Sequence, residues 1–181
     1  MKIHELKQFI EAKKFKSKTW IDNLDERKKE ELEFHNFDRE KSDEDIIRKQ
    51  KDLNVHSNKK YYSITENQLI YQYNWFKKNV KNKVFLDYAC GDGVESIKAS
   101  KFGAEFVIGI DISDTSIKNA RKVANGLGIK NCYFFQADCE NTELPNESVD
   151  IILCKGMLHH LDLNIAFPEL ERILKKDGKI L

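Results

Sequence analysis

The chain has 181 residues, enough for one domain of ordinary size or one domain with an appendage. Its 31 Lys and Arg nearly balance 30 Asp and Glu, leaving a net charge of +1, which argues against a broad electrostatic footprint for nucleic acid or an anionic membrane. Hydrophobic residues make up 40% of the chain, so a sizeable core is within reach, yet no run approaches the roughly 18 apolar residues of a membrane span.

The four cysteines, Cys90, Cys132, Cys139 and Cys154, form no C-x-x-C pair and no zinc-ligand spacing. No metal site is expected from them. Reduced thiols in a cytoplasmic protein are the expectation. The opening M-K-I-H-E-L-K carries charges where a signal peptide needs an apolar core.

The two halves differ in chemistry. Residues 1–90 contain no glycine or proline, and half of the first 60 residues are charged with the signs mixed. Such a segment suits exposed helices or a partly disordered arm. Ile3, Leu6 and Ile10 share one helical face. Thr19 is a candidate cap for a helix carrying Trp20, Ile21 and Leu24, and Ser42 with Asp45 for one carrying Ile46 and Ile47. Thr65 with Gln68 forms a capping-box pattern, behind which Leu69, Tyr73, Phe76 and Val80 make one apolar stripe.

From residue 84 strands and helices alternate. Val84–Ala89 reads as a buried strand, Val94–Phe102 as a helix closed by Gly103, and Glu105–Asp111 as the second strand. A helix carrying Ile117, Ala120, Ala124 and Leu127 ends at Gly128. Cys132–Ala137 and Val149–Cys154 read as further strands. Ile165–Lys176 reads as a helix with Phe167, Leu170 and Leu174 inward, stopped by Asp177-Gly178, and Lys179–Leu181 as the opening of a fifth strand. This alternation predicts an α/β fold, a Rossmann-like, doubly wound, mostly parallel sheet with an N-terminal helical extension.

In such a sheet ligands sit beyond the carboxyl ends of the strands, where the strand order reverses. The first strand runs into Asp87-Tyr88-Ala89-Cys90-Gly91-Asp92-Gly93, and a helix follows. Asp111 ends the second strand, placed to accept hydrogen bonds from ribose hydroxyls. A dinucleotide fingerprint fails at Ser96, and the acidic Asp87 within the turn disfavours a pyrophosphate. It suits a ligand with a cationic end.

V-F-L-D-Y-A-C-G-D-G resembles motif I of the class I S-adenosylmethionine-dependent methyltransferases. I-G-I-D-I-S, A-D-C-E and V-D-I-I-L-C-K-G-M-L-H-H-L resemble their next three motifs in order, and L-E-R-I-L-K-K-D-G-K-I-L the helix-turn-strand beyond. The nearest likeness is to the bacterial small-molecule group. The resemblance implies S-adenosyl-L-methionine as cofactor, with Asp87, Ala89, Gly91 and Gly93 in the turn along its methionine part. Asp111 would hold the ribose, Ile112 the adenine face, Asp138 the adenine amino group and the Cys139 backbone the ring. Cys154, Lys155 and Gly156 would border the transferred methyl. Ala89 stands where the family usually has glycine, and Asp92 where Thr or Ser is frequent.

Each residue also has a plainer reading. Asp111 is a candidate helix cap, Asp138 and Cys139 a strand end, and Cys90 and Cys154 small buried fillers. His159 and His160 follow the fourth strand, where a base would stand for a hydroxyl acceptor, or a histidine that merely packs. Residues 1–80 are expected to form a helical extension or lid, with Phe34, His35, Tyr61 and Tyr62 as lid or anchor residues, and residues 81–181 the cofactor-binding domain. The family's sheet has seven strands, and the sequence ends at Leu181, three residues into the expected fifth. An exposed edge beside Val149–Cys154 would then invite self-association. The expected activity is methyl transfer to a small-molecule O or N acceptor, with no nucleic-acid or membrane partner. The alternatives are a cofactor-binding protein without turnover and a nicotinamide enzyme.

Overall fold

A computed structural model describes residues 2–40, 43–51 and 66–181. Ahead of the sheet lie α1 (Ile3–Glu11), α2 (Lys18–Asp22), α3 (Glu26–Asp38), α4 (Asp43–Lys51) and α5 (Glu66–Asn79). The sheet and its helices follow as β1 (Val84–Tyr88), α6 (Val94–Lys101), β2 (Phe106–Asp111), α7 (Asp114–Gly126), β3 (Cys132–Gln136), β4 (Val149–Leu153), α8 (Leu163–Ile173) and β5 (Leu174–Ile180). The strands pair in the order β3-β2-β1-β4-β5, parallel throughout. The order reverses between β1 and β4, which opens a crevice at their carboxyl ends.

β1 and β2 are buried at every position, as strands covered on both faces must be. On one face Leu86, Tyr88, Ile108, Ile110 and Phe135 pack with Leu170 and Ile173 of α8 and with Leu6 and Ile10 of α1. On the other, Phe85 and Val107 meet Phe76 and Val80, which carry the α5 stripe onto the sheet. The Phe76 and Phe85 rings lie edge to face at 5.3 Å. Beside them Ile117, Ala120 and Val123 of α7 pack with Ile97, Phe134 and Ile46 of α4.

Three expectations change. The N-cap of α2 is Ser17, whose hydroxyl accepts the Trp20 N–H, so the helix starts one residue before Thr19. The helix expected to run to Lys176 ends at Ile173. Its inward residues are Ala166, Leu170 and Ile173, while Phe167 is 52% exposed. Leu174 is already extended and opens β5. Partners advance from Val149↔Leu174 directly to Ile151↔Lys179, so the Lys-Lys-Asp-Gly stretch bulges from the ladder where the sequence suggested a turn. β5 therefore flanks β4 along its length and is itself, among the described residues, the last strand on that side, so the open edge lies at β5 and not at β4.

The candidate caps Ser42 and Thr65, with Tyr61 and Tyr62, lie outside the described residues. Among the described residues, no helix is long and apolar enough to cross a membrane.

Candidate active site

The carboxyl ends of β1 to β4 open on one cavity of about 160 Å³. Ala89 and Gly91 reach it from β1, Asp111 and Ile112 from β2, Asp138 and Cys139 from β3, and Lys155, Gly156 and Met157 from β4. α3 lies across the mouth and contributes Arg27, Lys28, Glu31 and His35. Arg39, just beyond α3, reaches the mouth as well.

Asp111 is buried, and both carboxylate oxygens are held by the backbone. The Gly91 N–H donates to Oδ2 and the Ser113 N–H to Oδ1, each at 2.9 Å. Burial pushes the carboxyl above its ordinary value, against the pull of those two donors. The cap of α7 is Ser113, whose hydroxyl accepts the Ser116 N–H. Asp111 is thus free of the capping task and anchored at the cavity wall. Each carboxylate oxygen retains acceptor capacity beyond its one backbone donor.

The turn before α6 is shaped for close packing. Gly93 has φ +74, and a Cβ there would come within 2.8 Å of the Phe134 ring and 2.9 Å of the Ala120 Cβ. Ala89 also stands in the left-handed region, φ +61, at the position where a glycine would be unstrained.

Four of the site residues selected from the sequence, Asp87, Gly93, Cys154 and His159, do not line the cavity. Asp87 is buried behind the turn, its Oδ2 accepting the Ser96 N–H at 2.9 Å and the Ser96 hydroxyl at 2.7 Å. Burial pushes its carboxyl up to about 7, with the Ser96 donors pulling the other way. Gly93 faces Phe134 and Ala120. Cys154 is half-buried against the core, its thiol pushed up to about 12 by burial. Burial also raises Cys90 and Cys139 well above the ordinary thiol range, so these cysteines are poor nucleophiles at neutral pH.

Asp138 is engaged on both oxygens. Oδ1 accepts the Glu140 N–H at 2.8 Å, and Oδ2 lies 2.7 Å from the Lys28 ammonium. Lys28 also lies 2.7 Å from Glu140. The Cys139 carbonyl accepts the Tyr88 hydroxyl, which fixes the backbone at that wall.

On the β4 side, His160 lines the cavity and its Nδ1 lies 2.8 Å from Glu31 of α3. His159 is exposed, its ring tilted 42° to that of His160 with the ring centroids 3.9 Å apart. Lys155 pairs with Glu95 at 2.8 Å. Of the lid candidates, His35 lines the cavity, whereas Phe34 is 62% exposed.

Sequence reasoning missed Arg27, Lys28, Glu31 and Arg39. Their helix is dominated by charge, so it resembled a solvated surface. The available signal was polar periodicity: Arg27, Glu31, His35 and Arg39 recur every four residues and so share a face.

Comparison with known proteins places this geometry in a family context. Residues 79–181 match a family described as a methyltransferase domain. An uncharacterized methyltransferase of Bacillus subtilis is 34% identical over 97 residues, covering 53% of this chain and 38% of that protein. The ribosomal protein L11 methyltransferase of Photobacterium profundum is 32% identical over 105 residues, covering 57% and 34%. The chain thus spans well under half the length of these curated relatives. Among solved structures, the YcgJ protein of Bacillus subtilis superposes with a TM-score of 0.56 at 28% identity, covering 61% of this chain and 48% of that one. The PH0226 protein of Pyrococcus horikoshii superposes with a TM-score of 0.57 at 27% identity, covering 71% and 58%.

Proposed function

The chain belongs to the class I S-adenosylmethionine-dependent methyltransferase domain family, and we propose that its cavity binds that cofactor and serves methyl transfer to a small-molecule oxygen or nitrogen acceptor. The observation that carries the reading is Asp111: a buried carboxylate fixed by two backbone N–H groups at the cavity wall, with acceptor capacity left for a pair of adjacent hydroxyls. Ile112 beside it offers an apolar face for a base, and Asp138 an acceptor for an exocyclic amino group. Those donor and acceptor types suit a nucleoside.

The cofactor, when bound, supplies an electrophilic methyl on a sulfonium. The chain's part is chiefly alignment. Asp111 would orient the ribose, and the turn at Ala89–Gly91 would carry the amino-acid end. Asp87 acts from behind the wall, tying the first turn of α6 to β1 and so holding that loop in shape. Lys155, Gly156 and Met157 would border the acceptor. His160 lines the same region, and with Nδ1 turned to Glu31 its other ring nitrogen is left to orient or deprotonate an acceptor hydroxyl.

α3 serves as the lid in this reading. The cavity's 160 Å³ falls below the roughly 300 Å³ at which small-molecule pockets begin. Admitting a nucleoside therefore requires α3 side chains to withdraw, Lys28 first among them.

Calorimetry with S-adenosylhomocysteine and NAD tests the proposal. Binding of the former in preference to NAD is the expected result. Micromolar NAD binding with none for S-adenosylhomocysteine would overturn it. Binding without turnover against a panel of hydroxyl and amine acceptors would favour a cofactor-binding role instead.

A further inference from the structure

Glu31, His35 and His160 present two imidazoles and a carboxylate to one point at the cavity lip. Glu31 and His35 are four residues apart on α3 and therefore on one face. His160 comes from the loop beyond β4, 129 residues from Glu31. Glu31 Oε1 lies 2.8 Å from His160 Nδ1, and Oε2 lies 3.3 Å from His35 Nε2. One ligand atom from each residue falls within 4.8 Å of the other two.

We propose that these three residues bind a divalent metal ion of the zinc class. Two imidazole nitrogens and one carboxylate oxygen are the donor set of a three-ligand site with an open position. Bonds of about 2.0–2.2 Å to such donors place them a little over 3 Å apart in a tetrahedral site, so an ion would draw together ligand atoms that already lie within 4.8 Å of one another. Neighbouring positive charge is already matched elsewhere. Arg27 turns to Glu140 and the His160 carbonyl, Lys28 to Asp138 and Glu140, and Arg39 to Asp38 and Asp92. Among the described residues, the ion-pair partners of Glu31 are the two imidazoles.

Two consequences follow from the placement. The site joins α3 to the loop after β4, so an ion would clip the helix across the cavity. All three ligands also line the cavity, so the open position faces the space where an acceptor would stand. A bound ion would there polarise an acceptor oxygen and so favour loss of its proton, in place of the base role proposed above for His160. The metal proposal itself stands apart from the cofactor reading.

The test uses the full chain, stripped with chelator and titrated with Co²⁺ and then Zn²⁺, followed by visible absorption, calorimetry and thermal melting. Expected are saturable one-to-one Co²⁺ binding with ligand-field absorption, displacement by Zn²⁺, and a higher melting temperature with either ion. His35→Asn and His160→Asn, on separate elements, should each weaken Co²⁺ binding at least tenfold while near-ultraviolet circular dichroism stays native. The exposed His4→Asn should bind as the parent does. Absent ligand-field absorption, affinity unchanged in both histidine variants, or a sulfur-to-cobalt charge-transfer band would each overturn the site. S-adenosylhomocysteine binding, measured on the same samples, reports on the cofactor reading separately.

Discussion

The Lys28 ammonium of α3 lies 2.7 Å from the Asp138 carboxylate at the end of β3. Burial opposes the ammonium's charge, yet its bonds to Asp138 and Glu140 more than offset this and raise its pKa. Lys28 thus stays charged through the neutral range and occupies the acceptor proposed for the adenine amino group. Lys28→Gln should free Asp138 and tighten S-adenosylhomocysteine binding about three- to tenfold, roughly 1 kcal/mol. Calorimetry checks this. Weaker binding in the variant would mean that the ammonium contacts the ligand rather than competing with it.

Asp111 should matter in the opposite sense. Asp111→Ala removes the proposed hydroxyl acceptor, so binding should weaken by about 1–3 kcal/mol. It also orphans the Gly91 and Ser113 N–H groups. Asp111→Asn keeps one oxygen acceptor and should fall between the two. An unchanged dissociation constant in a folded Asp111→Ala protein would confine the residue to holding the Gly91 loop.

The Rossmann-like half was legible because apolar runs, glycine turns and strand-end carboxylates all follow local rules. Val84–Tyr88, Phe106–Asp111 and Cys132–Gln136 lie within a residue of the segments read from the sequence. The end of α8 was not, because Leu174-Lys175-Lys176 suits a helix and only pairing with Val149 draws it into β5. The α3 side of the cavity was equally hidden. Glu31 meets His160 across 129 residues, and no local pattern announces such a meeting. Asp87 shows a subtler limit. Its motif was plain, but whether its carboxylate faces the cavity or the Ser96 donors depends on the turn's conformation.

Ala89 offers a test of strain. It holds φ +61, which costs a residue with a Cβ about 1–2 kcal/mol. Ala89→Gly removes that strain but restores about 0.4–1 kcal/mol of unfolded-state entropy. The net expectation is a gain of about 0.5–1 kcal/mol, or about 1–4 °C in melting temperature. Differential scanning calorimetry decides it. A lower melting temperature would mean that contacts of the Ala89 methyl outweigh the strain.

Asp87 carries the strongest pH prediction. Its folded-state pKa, near 7 through burial, exceeds the ordinary 3.8. Between those values the folded chain holds a proton that the unfolded chain has released. The contribution of Asp87 to stability therefore falls as pH rises through this window and levels off above it. At about 1.4 kcal/mol per unit, the full window amounts to roughly 4 kcal/mol. Asp87→Asn keeps an oxygen to accept from the Ser96 N–H and hydroxyl, and it removes the buried charge. The variant's advantage over the parent should begin above about pH 4 and grow by a further 2–3 kcal/mol, roughly, between about pH 5 and pH 8. Urea unfolding of both proteins at the two pH values measures the difference directly, and other titrating groups cancel between them. A variant less stable than the parent at the higher pH would show that the ionised carboxylate is held favourably by the α6 N-terminus and Lys155. The turn at Ala89–Gly91 would then depend on that charge for its shape, and Asp87→Asn should also weaken S-adenosylhomocysteine binding.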